Sequence, residues 1–322
     1  MKNILMSRGA RTIVEVCAGV TAGETAVVVT EPRMLGLAEA IATAVSAAGA
    51  EPVLAVMTPR ASDGEEPPAP VAAAMRAAPV FFSVVHRSIT HTRATREAAA
   101  AGSRGLVMTQ FTDEMLMHGG VEADFRALAP VCENMAKALA GAAQIQLTSR
   151  HGTRLICSAS GRRGNALTGL VTPGKFSPIP TVEANVSPLE GSAEGVIVAD
   201  ASIPYIGIGL LGAPVTAKVE KGKIVAISGG AQADLLARDL AAKQDPLVYN
   251  VAELGVGLNP RCRFCGLMLE DEGVYGSVHI GIGTNITLGG TVKAACHYDL
   301  IMTGPTIVAD GRTLLADGQV TI

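Results

Sequence analysis

Over the first 140 residues, apolar and polar positions alternate in blocks that read as strand, helix, strand. "TAVVVT" (25–30) is a β-branched run between polar residues, and "MLGLAEAIATAVSAAG" follows it. The good helix formers of that second block stop at Gly49 and feed an apolar run, "EPVLAVM". "APVFFSVV" and "RGLVMTQ" repeat the theme around the helical "SITHTRATREAAAAG". Strands separated by helices predict a parallel sheet covered on both faces, because each crossover lays a helix against the sheet.

From about residue 143 the pattern shifts to short extended runs. "IQLTSRHGTRLICSASGRRG" predicts two strands around His151-Gly152, and "PVTAKVEKGKIVAISGG" a hairpin turning at Lys221-Gly222. "QADLLARDLAAK" supplies one helix. Glycine then recurs in "ELGVGLNP", "VHIGIGTN" and "TLGGTVK", where backbones are expected to approach closely. The expected fold class is α/β, with a parallel-sheet α/β domain over residues 1–140. A mainly antiparallel α+β domain over 141–322 follows, and the candidate chemistry gathers there.

Composition narrows the function. The chain has 322 residues, 48% apolar and 17% charged, enough for two packed domains and unlike a disordered protein. Trp is absent and aromatics are 3%, which argues against a stacking platform for nucleic acid. A net charge of -3 gives no general attraction to phosphate backbones or anionic membranes. Neither G-x-G-x-x-G nor a P-loop opens a helix, so nucleotide binding has no local support. The start, "MKNILMSRGARTIVEVC", is too polar for a signal peptide, and no window reaches the roughly 18 apolar residues of a spanning helix. A cytoplasmic protein acting on a small molecule is expected, with no nucleic-acid or membrane partner.

Six cysteines are scattered along the chain and expected reduced. "CRFC" (Cys262 to Cys265) lacks both a second pair for structural zinc and a thioredoxin-like setting, so it is expected to hold buried or incidental thiols.

"ACHYDL" (295–300) puts His297 and Asp299 two residues apart in an apolar run, and a strand would send both to one face. His279, in "GSVHIGIGTN", lies one glycine-turn hairpin upstream, so neighbouring strands can bring the three together. Glu253 sits inside the apolar "YNVAELGVGLNP" and Glu183 at a strand start in "SPIPTVEANVSP". A carboxylate in an apolar strand is costly unless paired or bound to an ion. For Glu253 the ordinary alternative is a salt bridge to Arg261, Arg263 or Lys293. Glu190, Glu194 and the "EDE" of 270–272 are expected to be solvated loop charges. Arg150, His151 and Arg154 are expected at an exposed turn, with His86, His91 and His118 structural.

Glu183, Glu253, His279, His297 and Asp299 together form a nitrogen and oxygen set suited to Zn, Mn, Co or Fe more than to Mg or Ca. Five such groups exceed the three protein ligands of a single catalytic zinc and suit two ions sharing a carboxylate.

The words "GTRL", "PTVEANVSP", "SAEGVIVAD", "VEKGKIVAISGG", "NVAELGVGLNP", "GSVHIGIGTN" and "CHYDLIM" run in the order of the aminopeptidase T metallopeptidase family, which residues 148–303 resemble. The resemblance places that family's metal positions on Glu183, Glu253, His279, His297 and Asp299, and it implies a homodimer. One departure follows His279, where the peptidases carry a tyrosine and this chain has Asn285 and Ile286. The chain also resembles 2,5-dihydroxypyridine 5,6-dioxygenase, which is closer in length and holds one Fe(II) with two histidines and an aspartate. That resemblance matches His297 and Asp299, but the other histidine falls at Glu253, and Glu183 and His279 have no counterparts.

The leading expectation is a metal-dependent hydrolase of an amide, peptide or cyclic amide C–N bond, with two divalent ions (Zn, Mn or Co) per chain. Glu183 and Glu253 are its candidate catalytic carboxylates, one to bridge the ions and one to take the proton of water. The alternative is an Fe(II)-dependent ring-cleaving dioxygenase of a hydroxylated N-heterocycle. A non-enzymatic binding protein is disfavoured by the retention of all five groups.

Overall fold

A computed structural model describes residues 2–322. It is a mixed α/β structure that divides into two compact units. The first runs up to Ala129 and adds Leu167–Pro180; the second comprises Pro130–Ala166 and Thr181–Ile322. A single boundary near 140 was expected from the sequence. The chain instead interleaves, because Phe176–Pro178 joins the first unit as a fifth parallel strand beside Arg104–Val107.

The first unit follows the predicted alternation. Its parallel sheet has the order Glu51–Val56, Thr25–Thr30, Val80–Val84, Arg104–Val107, Phe176–Pro178. Helices Leu35–Ala47, Ala69–Ala77 and Arg93–Ala100 connect successive strands. Thr92 caps the last of these, its hydroxyl accepting the Thr95 N–H at 3.3 Å. Val27, Val29 and Phe81 of the sheet, with Val85 just past its strand, meet Val71, Met75 and Ala98 of the helices in one buried cluster. Gly105 is required there, because a Cβ at that position would lie 2.0 Å from the Phe81 ring. The predicted cover on both faces holds for the inner strands and fails at the edge. Glu51–Val56 leaves Val53, Leu54 and Val56 exposed, since it is the edge of the sheet and no described strand pairs beyond it.

The second unit is built on two antiparallel sheets of eight and seven strands. In the larger, Val215–Glu220 and Lys223–Ser228 form the predicted hairpin. Lys221 and Gly222 both adopt positive φ (49° and 74°), the geometry of a two-residue turn that matches strand twist. Ile145–Ser149 and Arg154–Cys157 pair around His151-Gly152, as their pattern indicates.

The smaller sheet carries Glu183–Val186, Val251–Gly257, Val278–Gly283 and His297–Met302 as adjacent strands. All four are buried almost throughout. Period-two alternation splits them cleanly. Ala184, Val186, Leu254, Val256, Ile280, Ile282, Leu300 and Met302 occupy one face. The other bears the ionisable groups with glycines and Asn185 between them, and Ile301 beside His279.

Candidate metal centre

That second face gathers all five sequence-selected residues. Register explains how so many large polar side chains fit on neighbouring strands: each stands opposite a glycine. Glu183 pairs with Gly257, His279 with Gly255, Glu253 and Asp299 with Gly281 from either side, and His297 with Gly283. A Cβ on Gly255 would lie 2.0 Å from His279 Nε2. One on Gly281 would lie 2.7 Å from both Glu253 Cβ and His297 Nε2. The glycines therefore form the floor over which the two imidazoles lie. A bulge between Val251 and Glu253 shifts the register just before the Glu253 side chain enters the cluster.

Two triads result, Glu183–Glu253–His279 and Glu253–His297–Asp299, with the potential ligand atoms of each within 4.8 Å of one another. Glu253 belongs to both. Its Oε2 lies 2.9 Å from His297 Nε2, and its Oε1 3.8 Å from His279 Nε2. His279 Nε2 is 3.6 Å from Glu183 Oε2, and His297 Nε2 is 3.4 Å from Asp299 Oδ1. The side chains of Glu183, Glu253, His279 and Asp299 are buried, whereas His297 is 25% exposed and marks the solvent side. The ordinary alternative for Glu253 does not apply: its ion-pair partners are the two histidines, not Arg261, Arg263 or Lys293.

Further contacts orient these groups. His297 Nδ1 donates to the Thr284 carbonyl at 2.8 Å, which turns Nε2 toward the cluster. Asn185 Nδ2 donates to Glu183 Oε1 at 2.7 Å and is itself held by Asn165 at 2.8 Å. Tyr205 donates to Asp299 Oδ2 at 2.5 Å and lies 3.2 Å from Glu272 Oε1. Sequence reasoning missed Tyr205 and Glu272. Glu272 is half-buried, its carboxyl pushed well up by burial and then by the nearby Asp299 and Glu183, while Glu270 and Asp271 are fully buried. Expecting "EDE" to be solvated is therefore wrong: a short helix, Met268–Asp271, folds these acids inward. The period-3.6 stagger of so short a turn leaves no readable pattern. Glu190 is also no solvated charge, since it takes hydrogen bonds from Asn285 and Thr291 and an ion pair from Arg162. Glu194, Arg150, His151 and Arg154 are exposed as expected.

Burial pushes the Glu183 carboxyl up to about 7, with Glu253 and Asp299 adding to the rise against His279 and Asn185. Burial also opposes charge on Glu253 and Asp299, yet the two histidines hold both below the ordinary carboxylate range. Burial alone would lower His279 and His297. The facing carboxylates reverse it, raising His279 to about 9 and His297 well above its ordinary value.

This chemistry fits divalent ions. Glu183 Oε2 and Asp299 Oδ1 are buried, face the histidines and lack any hydrogen bond. Three buried carboxylates balanced only by protons on two imidazoles are the arrangement that cations would replace. Among the described residues no cysteine is disulfide-bonded; Cys262 is buried and Cys265 exposed. No described helix is long and apolar enough to cross a membrane.

Fold and cluster together define a mixed α/β protein with a five-residue group able to hold divalent metal. A family model for 2,5-dihydroxypyridine 5,6-dioxygenase matches residues 7–322, and the chain belongs to that family of enzymes. A curated 2,5-dihydroxypyridine 5,6-dioxygenase from Pseudomonas putida is 29% identical over 160 residues, 46% of this chain and 45% of that protein. The matched segment thus spans less than half of that relative's length. The solved structure of 2,5-dihydroxypyridine dioxygenase from Pseudomonas putida KT2440 superposes with a TM-score of 0.84 at 20% identity, covering 99% of this chain and 97% of the other. Wild-type AmpT from Thermus thermophilus does so with a TM-score of 0.72 at 16% identity, with both chains fully covered. Both resemblances drawn from the sequence are therefore present, and the fold is the one they share.

Proposed function

We propose that this protein is a metal-dependent hydrolase of an amide, peptide or cyclic amide C–N bond. The observation that carries the reading is Glu253, whose two carboxylate oxygens face different histidine-containing triads and so could serve two ions at once. Glu183 and His279 would complete one position, His297 and Asp299 the other. Divalent ions such as Zn, Mn or Co held there would supply Lewis acidity and lower the pKa of water.

The chain's own residues divide the remaining work. Glu253 would help hold both ions. Glu183, its Oε1 anchored by Asn185 and its Oε2 without a hydrogen bond, would turn Oε2 to the ion it shares with His279. His297, a quarter exposed to solvent, sits where a substrate would arrive.

The family match favours a second reading, an Fe(II)-dependent ring-cleaving dioxygenase of a hydroxylated N-heterocycle. The ligand set is the argument against it. Each triad has one imidazole and two carboxylates, so the two histidines and one carboxylate of non-haem Fe(II) oxygenases would have to draw His279 and His297 from different triads. Elemental analysis of protein purified anaerobically without chelators separates the two, followed by assay of amides and of 2,5-dihydroxypyridine. Two equivalents of Zn, Mn or Co with amine release and no oxygen uptake are expected. One equivalent of iron with oxygen consumed stoichiometrically on the hydroxypyridine would replace the hydrolase with the dioxygenase.

A further inference from the structure

We propose that Tyr205 is a positioning residue that selects which oxygen of Asp299 faces the metal centre. The inference rests on the reading of the five-residue cluster as a site for divalent cations, and it concerns a residue outside both triads.

Tyr205 reaches the cluster from a small hairpin at the edge of the same sheet. Ser202–Ile203 pairs with Gly209–Leu210, and Ser202 also pairs with Ile301 of the His297 strand. The turn is sharp, with Ile206 and Gly207 at φ 49° and 80°. The Tyr205 backbone is tied on both sides, its N–H to the Ile203 carbonyl at 2.8 Å and its carbonyl to the Ile208 N–H at 2.9 Å. Its ring packs on Tyr298 with centroids 4.9 Å apart and planes tilted by 32°. The phenol thus arrives with little freedom of its own.

A phenolic O–H has one hydrogen to give. Asp299 Oδ2, at 2.5 Å, is nearer than Glu272 Oε1 at 3.2 Å and receives it. That bond occupies one Asp299 oxygen and turns the other, Oδ1, toward His297 Nε2 at 3.4 Å, where it has no hydrogen bond. Asp299 is thereby set to offer a cation one oxygen rather than two. Without the phenol, the carboxylate is free to rotate and bring both oxygens to the two histidines. Tyr205 lies 94 residues from Asp299 in sequence, so only the fold joins them.

Tyr205→Phe removes the hydroxyl and keeps the ring on Tyr298. Tyr298→Phe is the control, since it deletes a neighbouring hydroxyl that does not touch Asp299. Apo melting temperatures establish that both variants fold. Calorimetric titration with Zn²⁺ and with Mn²⁺ then gives stoichiometry and affinity for each protein. The expected result is unchanged stoichiometry with affinity reduced about 10–100-fold in Tyr205→Phe, the range found when a group orienting a metal ligand is removed, and near wild-type affinity in Tyr298→Phe. The chain has no Trp and four Tyr, so metal addition should also produce a tyrosine ultraviolet difference signal that Tyr205→Phe diminishes. Wild-type affinity in Tyr205→Phe, or equal losses in both variants, would overturn the role of Tyr205 while leaving the metal centre intact. A wild-type protein that takes up neither ion would overturn both together.

Discussion

At the scale of single residues, the centre depends as much on what is missing as on what is present. The Nε2 ends of the His279 and His297 rings lie over Gly255 and Gly281 because those positions have no Cβ. Gly255→Ala should push His279 out of its triad, and Gly281→Ala should push on Glu253 and His297 together. Forcing extra volume into a packed site costs about 1–3 kcal/mol. Each alanine variant should melt lower than wild type by that order and bind metal weakly, as thermal unfolding with and without Zn²⁺ will measure. Alanine variants that match wild type in both measurements would mean the glycines are incidental. His297→Ala removes a ligand without adding bulk, so both metal occupancy and turnover should be lost. Activity retained in His297→Ala would exclude the cluster as the reacting centre.

At the scale of elements, the segment between the His279 and His297 strands is clamped by Glu190. Arg162 pairs with Glu190 and donates to the Gly289 carbonyl at 2.6 Å, while Asn285 and Thr291 donate to the Glu190 carboxylate. Burial opposes charge on Glu190, but the hydrogen bonds from Thr291 and Asn285 outweigh it and hold the carboxyl down to about 2. A carboxylate depressed in the folded state stabilises fully above its ordinary value of 4.5, and that contribution fades as pH falls toward 2. Glu190→Gln should therefore lower the melting temperature near neutral pH, and the gap from wild type should narrow through pH 4.5 and below. A gap independent of pH would assign the effect to packing instead. The same segment supplies the Thr284 carbonyl that orients His297, so the clamp bears directly on the centre.

At the scale of the whole molecule, an ion bound only to the folded state adds stability by mass action. At a free concentration of about 100 times Kd the gain is about 2.7 kcal/mol. Zn²⁺, Mn²⁺ or Co²⁺ should raise the melting temperature of chelator-stripped protein in a concentration-dependent way, and EDTA should reverse the rise. An unchanged melting temperature with all three would argue against a resident metal. The interleaving of the two units also matters here: the chain passes between them three times, at 129–130, 166–167 and 180–181. Truncation at residue 140 would remove Phe176–Pro178 from the parallel sheet, leaving Arg104–Val107 as a bare edge.

Much of this was legible in the order of residues because it follows from short-range rules. Alternation of strand and helix predicts the parallel sheet, and period-two spacing puts His297 with Asp299 on one face. Lys221-Gly222 announces its own turn. The recurrence of glycine in "ELGVGLNP" and "VHIGIGTN" signals close approach, although not which side chain each glycine admits. That pairing is a matter of register, set when strands distant in sequence meet. The same holds for Tyr205 and Asp299, for the inward fold of Glu270–Glu272, and for the return of Phe176–Pro178 to the first unit. Local pattern specifies which face a side chain takes. Only long-range hydrogen bonding and packing decide what stands opposite it, and hence which carboxylates and imidazoles share one site.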